Sequence, residues 1–293
     1  MAGVKPTADA SMRPPLQART VRLKVPFEDR SFELQGSADD LSVVDAIDKA
    51  GGSWEPEVMS VMRRVVLPDA VCLDIGANVG AHTLALASLA PRGRVYAFEP
   101  SARTFDFLRF NIASNRMVNA TAIKLGLSNT AGLREFHYFK NYAGCSLSGG
   151  GGEGPDVDAM MKKAWGVAWE RETETAEFTT LDAWADAAGL DRLDFVKMDV
   201  EGFERYVIEG GERTLRRFRP ILISEFNLLS LNAYYGIDPQ SYYEALARLY
   251  DHVYAIGPDA SLRKLAGYGD LVAAIAAPRF WADIVCSAGE LTD

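Results

Sequence analysis

The sequence predicts a doubly wound α/β sheet preceded by a small N-terminal cap, and three observations carry that expectation. From Val71 onward, short apolar runs alternate with helical stretches. The runs are apolar at nearly every position, as strands covered on both faces are. The first of them ends in a glycine turn that opens a helix, LDIGANVGAHTL.

Residues 1–20, rich in Pro, Ala and small polar types, read as a disordered lead. Residues 21–66 form the expected cap. There TVRLKVPFEDRSFELQ alternates as a hairpin does, and SVVDAIDKAGGSWEPEVMSVMRRVV reads as helices interrupted at Gly51, Gly52 and Pro56. The main domain, 67–293, then offers seven strands: AVCLDIGA, GRVYAFEP, ATAIKLGLS, LDFVKMDV, PILISEF, HVYAIGP and FWADIVCSA. Helical stretches such as AHTLALASLA, RTFDFLRFNIASN and FERYVIEGGERTLRRF lie between the first five, which makes the sheet parallel, with one antiparallel strand at the end. After a hairpin around GLREFHYFK, a Gly-rich insertion near 143–172 leads into a segment bearing Met160, Met161, Trp165 and Trp169. A flexible tether before an apolar-faced helix suits a lid, and equally a surface insertion packing its own helix.

The composition, 48% hydrophobic and 24% charged over 293 residues, is that of a globular chain with a sizeable core. No apolar run reaches the roughly 18 residues that a membrane span needs, and the N-terminal stretch has no apolar signal region. Three cysteines, Cys72, Cys145 and Cys286, stand far apart and form no paired spacing, which argues against a disulfide framework or a thiolate zinc site and points to the reducing cytoplasm. A net charge of -9 repels a phosphate backbone, so nucleic acid is not the expected partner.

In the glycine turn, Gly76 and Gly80 permit positive φ and close approach of a ligand, and Asn78 is the non-Gly type that best tolerates the left-handed region. Glu99 closes the second strand, where a nucleotide-binding sheet places the carboxylate that accepts from ribose hydroxyls. Asp74 selects among nucleotides. A carboxylate at this strand end repels the pyrophosphate of NAD or FAD, whereas S-adenosylmethionine has no phosphate and carries an ammonium and a sulfonium. Leu127 and Ser128, at the end of the third strand, are placed to supply an apolar wall and a hydrogen bond to the adenine. Asn78 and Ser101 are assigned to the same pocket.

The segments SWEPEVM, VCLDIGANVGAHTLAL, VYAFEPS, FNIASN, TTLDAW, FVKMDVEGFE and ILISEFN, in that order, resemble the FkbM-type methyltransferases, a branch of the class I S-adenosylmethionine-dependent enzymes. The resemblance implies a Rossmann-like seven-stranded sheet and methyl transfer to a hydroxyl of a sugar or a secondary metabolite. It makes Asp74, Gly76, Gly80 and Glu99 cofactor contacts and sets Lys197, Asp199 and Glu201 at the reaction end of the sheet. Two features depart from the family pattern: His82 stands where an aromatic is frequent, and the Gly-rich insertion is long.

In VKMDVEGFE the charges at Lys197, Asp199 and Glu201 alternate, so an extended strand stacks them on one face. Lys197 is either the base for the acceptor hydroxyl or a charged donor holding its oxygen, and Asp199 either orients Lys197 or accepts from the cofactor's ammonium. Glu201 is expected to cap the following helix. Among His82, His137 and His252, His82 at the start of a helix is the best candidate base. Asp199, Glu225 and Asn227 together offer oxygen ligands for Mg²⁺. The alternatives are a non-catalytic nucleotide-binding module, an NAD-dependent oxidoreductase, and methylation at nitrogen or on a larger acceptor.

Overall fold

The computed structural model describes residues 17–139, 142–148, 171–234, 236–275 and 280–292. Most of the Gly-rich insertion, and with it the lid expectation, lies outside the described residues. So does most of the expected disordered lead.

Strand β1 (Ala18–Lys24) begins three residues before the expected hairpin and pairs antiparallel with β2 (Ser31–Ser37). Alternation decides which way it faces: Val21, Leu23, Phe32 and Leu34 are buried. Helices α1 (Val44–Lys49) and α2 (Pro56–Val65) follow. Their apolar residues join those of the hairpin, Leu84, Leu108, Cys72, Ile223 and Val285 in one cluster, so the N-terminal elements cover one face of the main sheet. Polar contacts fix the docking. The fully buried Asn111 accepts the Gln35 amide and donates to Gln35 O and Val79 O, each at 2.8 Å, which ties the hairpin to the glycine turn.

The main sheet contains β3 (Val71–Ile75), β4 (Arg94–Phe98), β5 (Ala120–Ile123), β10 (Phe195–Met198), β11 (Ile221–Asn227), β12 (His252–Ile256), β13 (Leu262–Lys264) and β14 (Trp281–Ser287). Their order is β13-β12-β14-β11-β10-β3-β4-β5. β10 pairs parallel with both β3 and β11, and β14 inserts antiparallel between β11 and β12. The seven expected strands are therefore present in a mostly parallel sheet, and the short β13 adds an eighth at the edge. The chain winds outward through β3, β4 and β5, then returns to build the other half from β10. The switch point lies between β3 and β10, and a crevice opens there at the carboxyl ends of the strands. Helices α3 (Ala81–Leu89) and α4 (Ala102–Ser114) connect the first three strands.

Three expectations need correction. The run ATAIKLGLS is two strands: β5 stops at Ile123, and β6 (Gly126–Leu127) joins a separate four-stranded sheet with β7 (Gly132–Phe139), β8 (Tyr142–Ser148) and β9 (Arg171–Thr179), in the order β6-β9-β7-β8. A Cβ on Gly126 would lie 2.2 Å from the Phe178 ring, so the glycine permits this pairing. After α5 (Leu181–Ala188), the expected long helix after β10 is also two, α6 (Glu204–Gly210) and α7 (Glu212–Phe218). The break sits where Gly210 presses on the Ser128 carbonyl, 2.0 Å from a hypothetical Cβ. Finally, Glu201 does not continue the stack of charges. β10 ends at Met198, and Glu201 turns into the left-handed region at φ 56°.

Candidate active site

Between β3 and α3 the chain turns through three left-handed residues, Gly76 (φ 83°), Asn78 (φ 52°) and Gly80 (φ 97°). A Cβ at Gly76 would fall 1.8 Å from the Asp199 carbonyl oxygen, so only glycine lets this turn lie against the end of β10. Phe98 O accepts the amides of Gly76 and Ala77 at 3.0 and 2.9 Å. Glu99 continues the job: its Oε2 accepts the Asn78 amide at 2.9 Å and its Oε1 the Ser101 amide at 3.0 Å. Burial pushes Glu99 up to about 7 against the lowering effect of Thr104 and these amides. Asp74, fully buried, accepts from the Thr83 hydroxyl, and burial raises its pKa as well.

Ser101 precedes α4 without capping it through its own side chain. Glu174 from β9 does that work, accepting the Ala102 amide at 2.7 Å and the Ser101 hydroxyl at 3.0 Å. The added sheet is thus anchored at the rim of the turn by a carboxylate at the positive end of a helix. Leu127 and Ser128 take packing roles. Leu127 joins the apolar cluster with Phe98 and Val207, and the Ser128 amide donates to Thr179 O at 2.9 Å. Both are buried, Leu127 at 3% and Ser128 at 0% exposure.

Register sets the reaction end. Lys197 pairs with Asp74 on one side and Ile223 on the other, and Glu225 lies opposite Asp283. Residues in step on neighbouring strands share a face, so Lys197, Asp74, Glu225 and Asp283 project together at the carboxyl edge. Lys197 is 1% exposed, and its Nζ lies 3.3 Å from Asp199 Oδ2. Burial alone would lower its pKa. Asp199, Glu55, Asp283 and Glu225 outweigh burial and raise it, so the ammonium keeps its proton. Of the two roles open to Lys197, this favours the charged donor over the base.

His82 opens α3 and is 9% exposed. Its Nε2 lies 3.2 Å from Glu55 Oε2, close in distance though out of line for a hydrogen bond. Glu55 was not foreseen. It precedes α2 in the left-handed region at φ 38°, an unusual conformation for this residue type, and its carboxylate does not cap the helix. Burial would raise its pKa, but His82 and then Lys197 bring it down to about 2. His252 opens β12, and the side chain of His137 lies outside the described residues.

The expected metal set changes. Asn227 Oδ1 accepts the amides of Leu229 and Ser230, both at 3.1 Å, so its oxygen serves the loop after β11. The acidic groups that converge instead are Asp199, Glu204 and Glu225, with one oxygen of each within 4.8 Å of the others. Glu204, rather than Glu201, also holds the local turn, its Oε1 accepting the Val200 amide at 2.9 Å. Burial among like charges raises Glu225 and Glu201 well above the carboxylate range. Burial likewise takes Asp283 up to about 7, with Glu55 adding to it.

One consequence can be measured without any ligand. Glu99 has a folded pKa of about 7 against an ordinary 4.5, so the folded state binds its proton more tightly than the unfolded chain. Its contribution is complete below pH 4.5 and is lost as pH rises through 7. We expect the free protein to lose about 2–3 kcal/mol from this group over that window, seen as a falling melting temperature. Glu99→Gln should make the fall shallower; an identical slope in the variant would remove the assignment.

The family model described as Methyltransferase FkbM domain matches residues 74–230. The AMB antimetabolite synthetase AmbE of Pseudomonas aeruginosa is 31% identical over 189 residues, covering 57% of this chain and 9% of that protein. The 2-O-methyltransferase NoeI of Sinorhizobium fredii is 29% identical over 174 residues, covering 56% of this chain and 65% of NoeI. The chain thus spans less than two thirds of either relative. The crystal structure of methyltransferase FkbM from Methylobacillus flagellatus KT superposes with a TM-score of 0.44 and 15% identity, covering 75% of this chain and 44% of that one. The family match begins at Asp74 of the glycine turn and runs past both carboxylate-bearing strand ends, over more than half of the sequence, and on that match the chain belongs to the FkbM methyltransferase family.

Proposed function

We propose that this protein is an S-adenosylmethionine-dependent O-methyltransferase whose acceptor is a hydroxyl of a sugar or a secondary metabolite. The observation that carries the reading is the pairing of a left-handed glycine turn with buried carboxylates, Asp74 and Glu99, at adjacent strand ends. Those groups fit a cationic, phosphate-free nucleoside and disfavour a pyrophosphate. The naming of NoeI as a 2-O-methyltransferase supports oxygen as the atom modified.

When bound, the donor supplies an electrophilic methyl on a sulfonium sulfur. Around it, Lys197 donates to the acceptor oxygen and fixes its line of approach, and Asp199 orients Lys197. His82 would take the proton from the acceptor hydroxyl. Glu55 then faces the charged imidazole and offsets it. Mg²⁺ enters the same reading as an ion held by carboxylates beyond β10, where it would supply Lewis-acid assistance to the hydroxyl.

Two measurements test this. S-adenosylhomocysteine should raise the melting temperature by mass action, NAD should not, and Glu99→Ala should weaken S-adenosylhomocysteine binding about tenfold or more. Radiolabelled methyl donor with a panel of neutral sugars, amino sugars and hydroxylated polyketides should then label at least one acceptor at oxygen. A clean NAD titration with no response to S-adenosylhomocysteine would overturn the reading in favour of an oxidoreductase.

A further inference from the structure

The turn after β10 and the strand β11 bring three carboxylates together, from residues Asp199, Glu204 and Glu225. Glu204 distinguishes this cluster from an ordinary acidic surface. It is 1% exposed, its Oε1 is committed to the Val200 amide, and its Oε2 is buried without any hydrogen-bond partner. An orphaned carboxylate oxygen is costly to bury, and folding tolerates it where a ligand completes the site. Asn227, which sequence spacing offered as the third ligand, has its Oδ1 engaged by two loop amides.

We propose that Asp199, Glu204 and Glu225 form a divalent cation site on the acceptor side of the reaction centre. All-oxygen carboxylate ligands select hard ions such as Mg²⁺, Mn²⁺ and Ca²⁺. Spacing is consistent with that class: bonds of about 2.1 Å allow trans oxygens to sit about 4.2 Å apart, and bonds of about 2.5 Å allow about 5 Å. Oxygens lying within 4.8 Å of one another fall inside that range. Lys197 contributes no ligand to the set, and its ammonium lies 3.3 Å from Asp199 Oδ2. The site deepens the methyl-transfer reading and rests on it only for the ion's role, which is to lower the pKa of an acceptor hydroxyl coordinated beside Lys197.

Titration of the full chain with Mn²⁺, followed by electron paramagnetic resonance with and without S-adenosylhomocysteine, tests the site without an acceptor. One tightly held Mn²⁺ per chain is expected, displaced by excess Mg²⁺ or Ca²⁺. Glu204→Gln keeps an oxygen for the Val200 amide while removing the charge, and should weaken Mn²⁺ about tenfold or more with S-adenosylhomocysteine affinity retained. Glu225→Gln should do the same, so the test survives if one variant fails to fold. Mn²⁺ affinity unchanged in both variants, or no bound Mn²⁺ in a wild type that binds S-adenosylhomocysteine, would overturn the proposal. Mn²⁺ bound through these carboxylates in a protein that ignores S-adenosylhomocysteine would uphold the cation site and overturn the methyltransferase reading instead.

Discussion

Replacing Lys197 by methionine will cut methyl transfer by about 10²–10⁴-fold while leaving S-adenosylhomocysteine affinity within about threefold. Methionine preserves the length and apolar stem of the side chain and removes only the ammonium. That ammonium is 1% exposed, so nothing in solvent can replace it. Its four acidic neighbours would then face one another without a counter-charge, and some would take up protons. Steady-state kinetics with the acceptor found by radiolabelling, beside calorimetry with S-adenosylhomocysteine, separates the two effects. Turnover within threefold of wild type would take Lys197 out of the reaction. An equal loss of product affinity would make it a cofactor contact instead.

Gly76→Ala should be the most damaging glycine-to-alanine change among the described residues. The added methyl would sit 1.8 Å from Asp199 O and 2.8 Å from Asp199 C, and both are backbone atoms that cannot rotate away. The residue also has φ 83°, where a side chain is strained even in open space. Gly189 provides the control, because it has φ 62° with nothing within 4 Å of its hypothetical Cβ. Gly189→Ala should cost about 1–2 kcal/mol, the conformational penalty alone. Gly76→Ala should cost at least about 3–4 kcal/mol and abolish S-adenosylhomocysteine binding, because the turn must lift away from β10. Denaturant unfolding of the two variants side by side decides the matter. Equal losses would mean that the contact between the turn and β10 is not under compression.

What the sequence revealed and what it withheld follow from the range of the forces involved. Strand ends at Asp74, Glu99 and Lys197 were legible because apolar runs stop where the sheet meets its crevice, and that signal is local. The left-handed turn was legible for the same reason, since Gly76, Asn78 and Gly80 are the residue types that the backbone requires. Glu201 was misjudged because alternation was extended past the last paired residue, Met198, into a turn where it has no meaning. Glu55, Glu174 and Asp283 were missed because each reaches the site from a different element, and only tertiary packing sets them there, whereas Glu204 is placed locally by its bond to the Val200 amide. A hint existed for Glu55: an acidic residue before Pro56 at a helix start, within SWEPEVM, that caps nothing. Asn227 illustrates the opposite error, a plausible ligand by spacing whose oxygen the following loop had already taken.

The position of β14 between β11 and β12 has a consequence for biogenesis. On the ribosome, β11 and β12 emerge before the strand that must separate them, so the nascent sheet waits with an open gap. Until residues 281–287 arrive, β11 presents an unpaired edge, and β12 with β13 has no sheet to join. Translation of residues 281–287 therefore closes this gap in one step, and a nascent chain stalled before them would be a substrate for chaperones.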